Sequence, residues 1–372
     1  MPRSSAPLLS VVIFALGGAC TFAPPAAGGA GATSGGGPLG SAASSGTGTG
    51  LIGGGGAQTG QANISGMNCA AVMQPVAKLP PDILLIQDKS GSMNDAADGS
   101  CTGNCGANSK WSQTTAALTQ VLTSTDATVN WGLKFFASPN GGACGVTNGA
   151  DVAIAANNSG AINNLIGRTT PGNSTPTRMA VAAGSAYMST VNDANPKFLL
   201  LATDGLPNCI PTAGGGTCTN NCQTSDMAGA VQAVTDALSA GFPTFVVGIA
   251  TSSDPTSDQT LNAMAMAGGK PQASGPPYYY PVASQQQLVD ALNAIVVIAG
   301  TCVFTIPPPP NSDTDQMHIG VQVNGTEISH DTGHSNGWDY TGTNQVTVYG
   351  SSCDAIMAGT ATVQIVFKCI VN

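Results

Sequence analysis

Between Asp82 and Ala299 short apolar runs of strand length alternate with segments of helical spacing, which leaves few architectures open to the chain. The runs are "DILLIQ" (82–87), "VNWGLKFFA" (129–137), "DVAIA" (151–155), "KFLLLAT" (197–203), "PTFVVGIA" (243–250) and a short strand near 278–283. Helical spacing occupies 110–122, 161–166, 177–191, 225–241, 257–267 and 285–298. Strands interleaved with helices predict a doubly wound, mostly parallel α/β sheet covered on both faces. The second and third runs lie close together with Gly and Pro between them, so one antiparallel edge strand is expected.

After Gly300 the pattern changes. "CVFTI", "HIGVQV", "QVTVYG" and "TVQIVFKC" alternate with Gly, Asn and "PPPPN", with no helical segment, and predict a small disulfide-linked all-β domain over 300–372. Within it "HDTGH" (330–334) holds two of the three His, but Gly333 opposes a helix presenting both on one face, and a surface loop is expected.

The first residues show one cation, an apolar stretch from Leu8 to Leu16 and small residues ahead of Cys20, the order of an export signal over 1–20. The apolar stretch is shorter than the roughly 20 residues a permanent span needs. Small residues before a Cys resemble a bacterial lipobox, although Gly17 stands where Leu is usual, so Cys20 is the expected lipidation site. No residue from Ser4 to Ala77 is charged, and Gly28 to Gly60 is almost wholly Gly, Ala, Ser and Thr. No core can form there, so 21–68 is read as a disordered tether with a reach on the order of 35 Å. The α/β domain then covers 69–299. These readings place the protein outside the cell, at the envelope or surface, held to the outer membrane by a lipid anchor alone, with plain secretion as the alternative.

In a doubly wound sheet, ligands bind where loops leave the carboxyl ends of strands. Three such loops share a chemistry. "DKSGS" follows the first strand and carries Asp88, Ser90 and Ser92; "GNSTPT" precedes the helix at 177 and carries Thr175 and Thr177; "TDG" follows "FLLLA" and carries Asp204. Carboxylates and hydroxyls without imidazole or thiolate are hard ligands, suited to Mg²⁺, Mn²⁺ or Ca²⁺. Helix capping or a simple turn explains one such loop, but does not require the same chemistry at three.

At these residues the chain resembles the von Willebrand factor type A family, whose metal-ion-dependent adhesion site uses D-x-S-x-S, then T, then D in that order. Asp88, Ser90 and Ser92 match the first element, Thr175 the second and Asp204 the third, and the resemblance covers about residues 80–299. It implies a divalent cation, Mg²⁺ foremost, held by Asp88, Ser90, Ser92, Thr175 and Asp204, with one or two of them acting through water and one position left open. It also implies a protein partner that presents an acidic side chain. Asp95 matches the first of two acidic residues that bind an adjacent second metal in some integrin members, but Ala96 replaces the other, so Asp95 is read as a solvated loop residue.

Eleven Cys are present; with Cys20 as the anchor an even set remains, read as disulfides: Cys69, Cys101, Cys105, Cys144, Cys209, Cys218, Cys222, Cys302, Cys353 and Cys369. Zinc at the clustered Cys is the weaker reading, because an oxidising compartment removes thiolates. Two insertions, "DAADGSCTGNCGANS" and "LPNCIPTAGGGTCTNNC", would sit on the metal face. There Cys101, Cys105, Cys144, Cys209, Cys218 and Cys222 are expected to close three bonds among themselves. One bond from the β domain then has to cross to Cys69 and clamp the two domains.

Composition removes other functions. With 10 Lys+Arg against 19 Asp+Glu and a net charge of −9, attraction to a phosphate backbone has no basis, and nucleic-acid binding is not expected. A hydrolase using metal-activated water would need a general base and preferably His ligands, yet all three His lie beyond residue 317, so no enzymatic activity is expected. A metal-dependent adhesion or assembly module is the leading reading. A structural envelope component, in which the metal only stabilises the fold, is the alternative.

Overall fold

The structure is a computed structural model describing residues 72–138, 142–210, 225–250, 255–357 and 361–369, all within one unit spanning Gly56–Asn372. The export signal, Cys20, the tether, Cys69, Cys218 and Cys222 lie outside the described residues.

A short strand, β1 (Val72–Pro75), comes first. The expected alternation follows as β2 (Asp82–Asp88), α1 (Lys110–Thr125), β3 (Asn130–Phe136), β4 (Val152–Ala155), α2 (Ser159–Gly167), α3 (Thr177–Met188) and β5 (Lys197–Thr203). It continues through α4 (Met227–Ser239), β6 (Thr244–Ile249), α5 (Pro255–Ala267), β7 (Tyr280–Val282) and α6 (Gln285–Ala299). These strands form one six-stranded sheet in the order β4-β3-β2-β5-β6-β7. Only β4 runs antiparallel, at the edge against β3, as the short connection required.

All seven residues of β2 are buried, because it is central and both of its faces are covered. Ile83 and Leu85 pack with Leu118 of α1, Ile162 of α2 and Leu292 of α6. Leu84 and Ile86 point the other way, into Val181 of α3, Val234 of α4 and Leu261 of α5. Each such side chain contributes about 1.5–3 kcal/mol on leaving water, so the continuous apolar run itself demands a two-faced sheet. Gly184 lets α3 lie close on β2: a Cβ there would stand 2.7 Å from Ile86 Cδ1.

The register of the central strands positions the loops. Asp82 pairs with Lys197 and Gln87 with Ala202, so β2 and β5 reach their carboxyl ends together, delivering Asp88 beside Thr203 and Asp204.

The last part of the chain forms β8 (Val303–Thr305), β9 (Thr314–Val323), β10 (Thr326–Ile328), β11 (Gly337–Gly342), β12 (Gln345–Tyr349), α7 (Ser351–Met357) and β13 (Val363–Cys369). Two antiparallel sheets, β1-β13-β9-β10 and β11-β12-β8, share a core of Phe304, Val321, Trp338, Val346, Ile365 and Phe367. Two expectations are corrected here. Residues 72–75 pair with β13, Val72 opposite Phe367, so the boundary drawn at 69 does not hold: the first described strand belongs to the β unit, and the α/β sheet begins only at Asp82. Secondly, this unit does contain a helix, α7, whose Cys353 is bonded to Cys302 just ahead of β8.

The described disulfides otherwise follow the expected partition. Cys101 is bonded to Cys105 and Cys144 to Cys209, both within the metal-face group. The reason for a bond clamping two domains through Cys69 weakens, because the strand just after Cys69 already belongs to the β unit.

Peptide mapping without reduction is expected to return Cys101–Cys105, Cys144–Cys209 and Cys302–Cys353; recovery of Cys144 joined to Cys302 or Cys353 would contradict the fold. Gly184→Val should destabilise the protein by about 1–3 kcal/mol through overpacking against Ile86, read by denaturant unfolding.

Candidate metal-binding loops

Asp88 is the last residue of β2 and has no exposed surface. Its Oδ1 accepts a hydrogen bond from the backbone N–H of Ser90 at 2.7 Å, and its Oδ2 accepts one from the Thr203 hydroxyl at 2.6 Å. Burial pushes its carboxyl up to about 7, the negative charge of Asp204 adds to the rise, and the bonds from Thr203 and Ser90 oppose it.

The chain then turns through a 3₁₀ segment, Gly91–Asn94. The Ser90 and Ser92 hydroxyls lie 3.1 Å apart, and both donate to Asp204 Oδ1, at 3.4 and 2.9 Å. Three oxygens from two loops that are more than a hundred residues apart in sequence are thereby gathered at the carboxyl end of the sheet.

Thr175 is buried on the loop that leads into α3, which the loop after β2 holds through its backbone. Gly91 donates to the Asn173 carbonyl at 2.9 Å and Gly172 to the Lys89 carbonyl at 2.7 Å. Asn208 latches the other side: its Oδ1 accepts from Thr175 N at 2.8 Å, while its own N–H donates to the Thr175 carbonyl at 3.0 Å. The Cys144–Cys209 bond and a hydrogen bond from Ser174 N to the Ala143 carbonyl tie the neighbouring loop into the same assembly. Thr177, by contrast, is the first residue of α3, and its hydroxyl is buried without a hydrogen-bond partner among the described residues.

Three participants were not singled out from sequence. Lys110 is the first residue of α1, whose N-cap Ser109 accepts from Ser112 N. Its ammonium reaches the far oxygen of Asp204, Oδ2, at 2.9 Å, with the carboxylate fully buried. Asp204 therefore faces the two Ser through one oxygen and a fixed cation through the other. Thr203 and Asn208 act as described above. Their signal was adjacency to "TDG", whereas Lys110 carried none, since a single Lys at a helix start is ordinary.

Asp95 departs from the solvated state expected for it. It is half-buried, its carboxylate accepts from Gly103 N at 2.5 Å and its carbonyl from Lys110 N at 2.8 Å, so it fastens the Cys101–Cys105 loop and the start of α1. His330 and His334 are exposed as expected, and both direct Nε2 at Asp339, at 2.7 and 2.9 Å. Among the described residues no group of three or more His, Cys, Asp or Glu side chains is arranged to hold a metal. The donors gathered at the carboxyl end of the sheet are mostly hydroxyls, and that set fits a hard divalent ion.

The loops sit on a doubly wound, six-stranded sheet that is parallel but for the edge strand β4. No protein-family model matches the chain, and no curated protein matches it. Similar solved structures include the pilus adhesin SpaC from Lactobacillus rhamnosus GG in its open conformation, 19% identical, covering 78% of this chain and 38% of that one, TM-score 0.44. The PilB minor pilin from Streptococcus sanguinis is 15% identical, covering 59% of this chain and 61% of that one, TM-score 0.44. The vWF domain of the type V pili tip protein Mfa5 from Porphyromonas gingivalis is 12% identical, covering 59% of this chain and 95% of that one, TM-score 0.42. The chain thus spans less than half the length of SpaC.

The raised carboxyl of Asp88 has a consequence for stability. An unfolded Asp titrates near 3.9, whereas folded Asp88 titrates near 7, so between these values the native protein holds a proton that the unfolded chain has released. This contribution is complete below the unfolded value and is lost as pH rises through 7. Freed of divalent ions, the protein is expected to melt at a lower temperature at pH 8 than at pH 5, and Asp88→Asn should narrow that gap. Thermal melts of both proteins at both pH values check this, and equal pH dependence in the two would remove Asp88 as its source.

Proposed function

We propose that this protein is a surface adhesion or assembly module that captures an acidic side chain of a partner protein at a divalent cation, Mg²⁺ foremost. The observation that carries the reading is the convergence of the Ser90 and Ser92 hydroxyls on Asp204 Oδ1, next to buried Asp88 and the Thr175 loop. Asp88, Ser90, Ser92, Thr175 and Asp204 would hold the ion, directly or through water. The bound ion would supply an electrophilic point on the protein surface at which a carboxylate can replace water.

Charge favours an acidic partner. The loops contribute two carboxylates, and Lys110 offsets part of the charge of one of them. A dication at this place would keep net positive charge, which attracts Asp or Glu and gives no such advantage to a neutral or basic group. Catalysis is not part of the proposal: the three His belong to β9 or to the segment between β10 and β11, and none is among the residues at the metal loops.

The described disulfides support an oxidising compartment outside the cytosol. Among the described residues no helix is long and apolar enough to cross a membrane. Attachment through a lipidated Cys20 is part of the proposal; Cys20→Ser should release soluble protein or stall its processing, read by fractionation and by mass spectrometry of the mature N-terminus.

Asp204→Ala should abolish Mg²⁺ and Mn²⁺ binding by calorimetry while the circular dichroism of the folded protein persists. A pull-down with Mg²⁺ and with chelator should retain the partner only with the ion, and changing the partner's critical carboxylate to the amide should release it. Partner binding that survives chelation would overturn the bridging role, and undiminished metal affinity in Asp204→Ala would overturn the site. A metal serving only the fold would leave partner binding unchanged on chelation at temperatures where the protein stays folded.

A further inference from the structure

Lys89 occupies the first variable position of "DKSGS", between two residues of the metal set, and the proposed function leaves it without a task. It is buried to 7% exposure, yet its ammonium forms no hydrogen bond or ion pair among the described residues. Its backbone carbonyl is fixed by Gly172 N, so the side chain starts from a clamped position. It lines a cleft of about 510 Å³. Arg168, the exposed C-cap of α2, lines the same cleft and likewise has no ion-pair partner among the described residues. Phe135, Leu165 and Pro171 supply apolar wall. The cleft's carboxylate, Asp151, is engaged: its Oδ2 accepts from Phe135 N at 2.6 Å.

Asp151 and Asp88 attract the Lys89 ammonium, yet neither forms an ion pair with it, so a buried lysine is left with its charge only partly balanced and able to receive a further anion in the cleft. Two cations against one engaged carboxylate, beside an aromatic ring and two aliphatic side chains, match an anion that carries an apolar group. We propose that this cleft is a second binding site, independent of the metal, which takes a carboxylate attached to an apolar group. Lys89 and Arg168 receive the carboxylate, and Phe135, Leu165 and Pro171 receive the apolar part. A free arylalkanoic acid has this chemistry, and so does an acidic side chain next to an apolar residue on a partner protein. In the second case the cleft would add a contact beside the metal-held one and raise specificity for partners with two suitably spaced acidic residues.

The test uses the full mature chain stripped of divalent ions and titrated by ligand-observed NMR and calorimetry. The probes are 3-phenylpropionate, the neutral 3-phenylpropionamide, and a capped peptide with one aspartate beside a leucine. Saturable binding of the acid is expected, with the amide weaker by about tenfold. Lys89→Met should weaken the acid by about tenfold, Lys89→Arg should retain it, and Arg168→Gln should weaken it by about threefold. Should Lys89→Met fail to fold, Arg168→Gln, a change at an exposed residue, carries the same comparison. Asp204→Asn should leave binding of the acid unchanged, which separates this site from the metal site. Tighter binding of the peptide assigns the cleft to a partner's acidic residue, and tighter binding of the free acid assigns it to a small molecule; both support the site. Equal binding of acid and amide, absence of saturable binding, or undiminished binding in both folded cation variants would overturn it.

Discussion

Everything at the candidate site depends on the parallel pairing of β2 with β5. That pairing brings a carboxylate with no exposed surface to the end of one strand and a hydroxyl to the end of the next, and the Thr203 hydroxyl then bonds Asp88 Oδ2. A desolvated carboxylate is strongly unfavourable unless hydrogen-bonded, protonated or neutralised by a cation. The strand ends supply the hydrogen bonds, and the upward displacement of Asp88 shows that these do not fully offset burial.

Electrostatic balance is the second constraint. Lys110 meets Asp204 on the oxygen turned away from Ser90 and Ser92, so one carboxylate serves a fixed internal cation and the hydroxyl cluster together. Lys110 keeps its place because Asp95 accepts its backbone N–H and also holds the Cys101–Cys105 loop. The first of the two insertions is thus tied directly to the start of α1. Lys89, two residues before Gly91, lines a different space, and the loop presents a cation and the Ser90–Ser92 hydroxyl pair from neighbouring residues.

The β unit illustrates how far chain order and spatial order can diverge. β1 precedes the α/β sheet in the chain and pairs with β13, almost three hundred residues later, in one sheet of the β unit. The chain therefore leaves the β unit, builds the whole six-stranded sheet and returns. The connection is reinforced by the bridge of Lys78 to Phe304 and by a hydrogen bond from Gln345 Nε2 to the Ala194 carbonyl. Both entry and exit of the α/β part are anchored at the β unit, which limits their relative freedom more than a single linker would.

The α/β sheet was legible because its signals are local. The aliphatic run 83–86, of strand length and set between Asp82 and Gln87, fits a strand covered on both faces, and the carboxyl ends of such strands are where oxygen-rich loops can gather. The loops carrying Asp88, Ser90, Ser92, Thr175, Thr177 and Asp204 could be picked out for that reason, and the resemblance in motif order selected Thr175 over Thr177. Strand β1 could not be assigned to its sheet, because four residues ending in Pro carry no pattern and their partner is fixed by long-range pairing alone. The half-exposed β11 and the short α7 were hidden for a related reason: their apolar faces are completed by Phe304, Val321 and Ile365 from distant strands. The chain's own order of residues determined a two-faced parallel sheet, an oxygen-rich edge and a cysteine set suited to export. Only the tertiary structure decided that Lys110 would balance Asp204, that Asn208 would hold Thr175 and that Lys89 would face a cleft, because each is a distance between residues that chain order leaves undetermined.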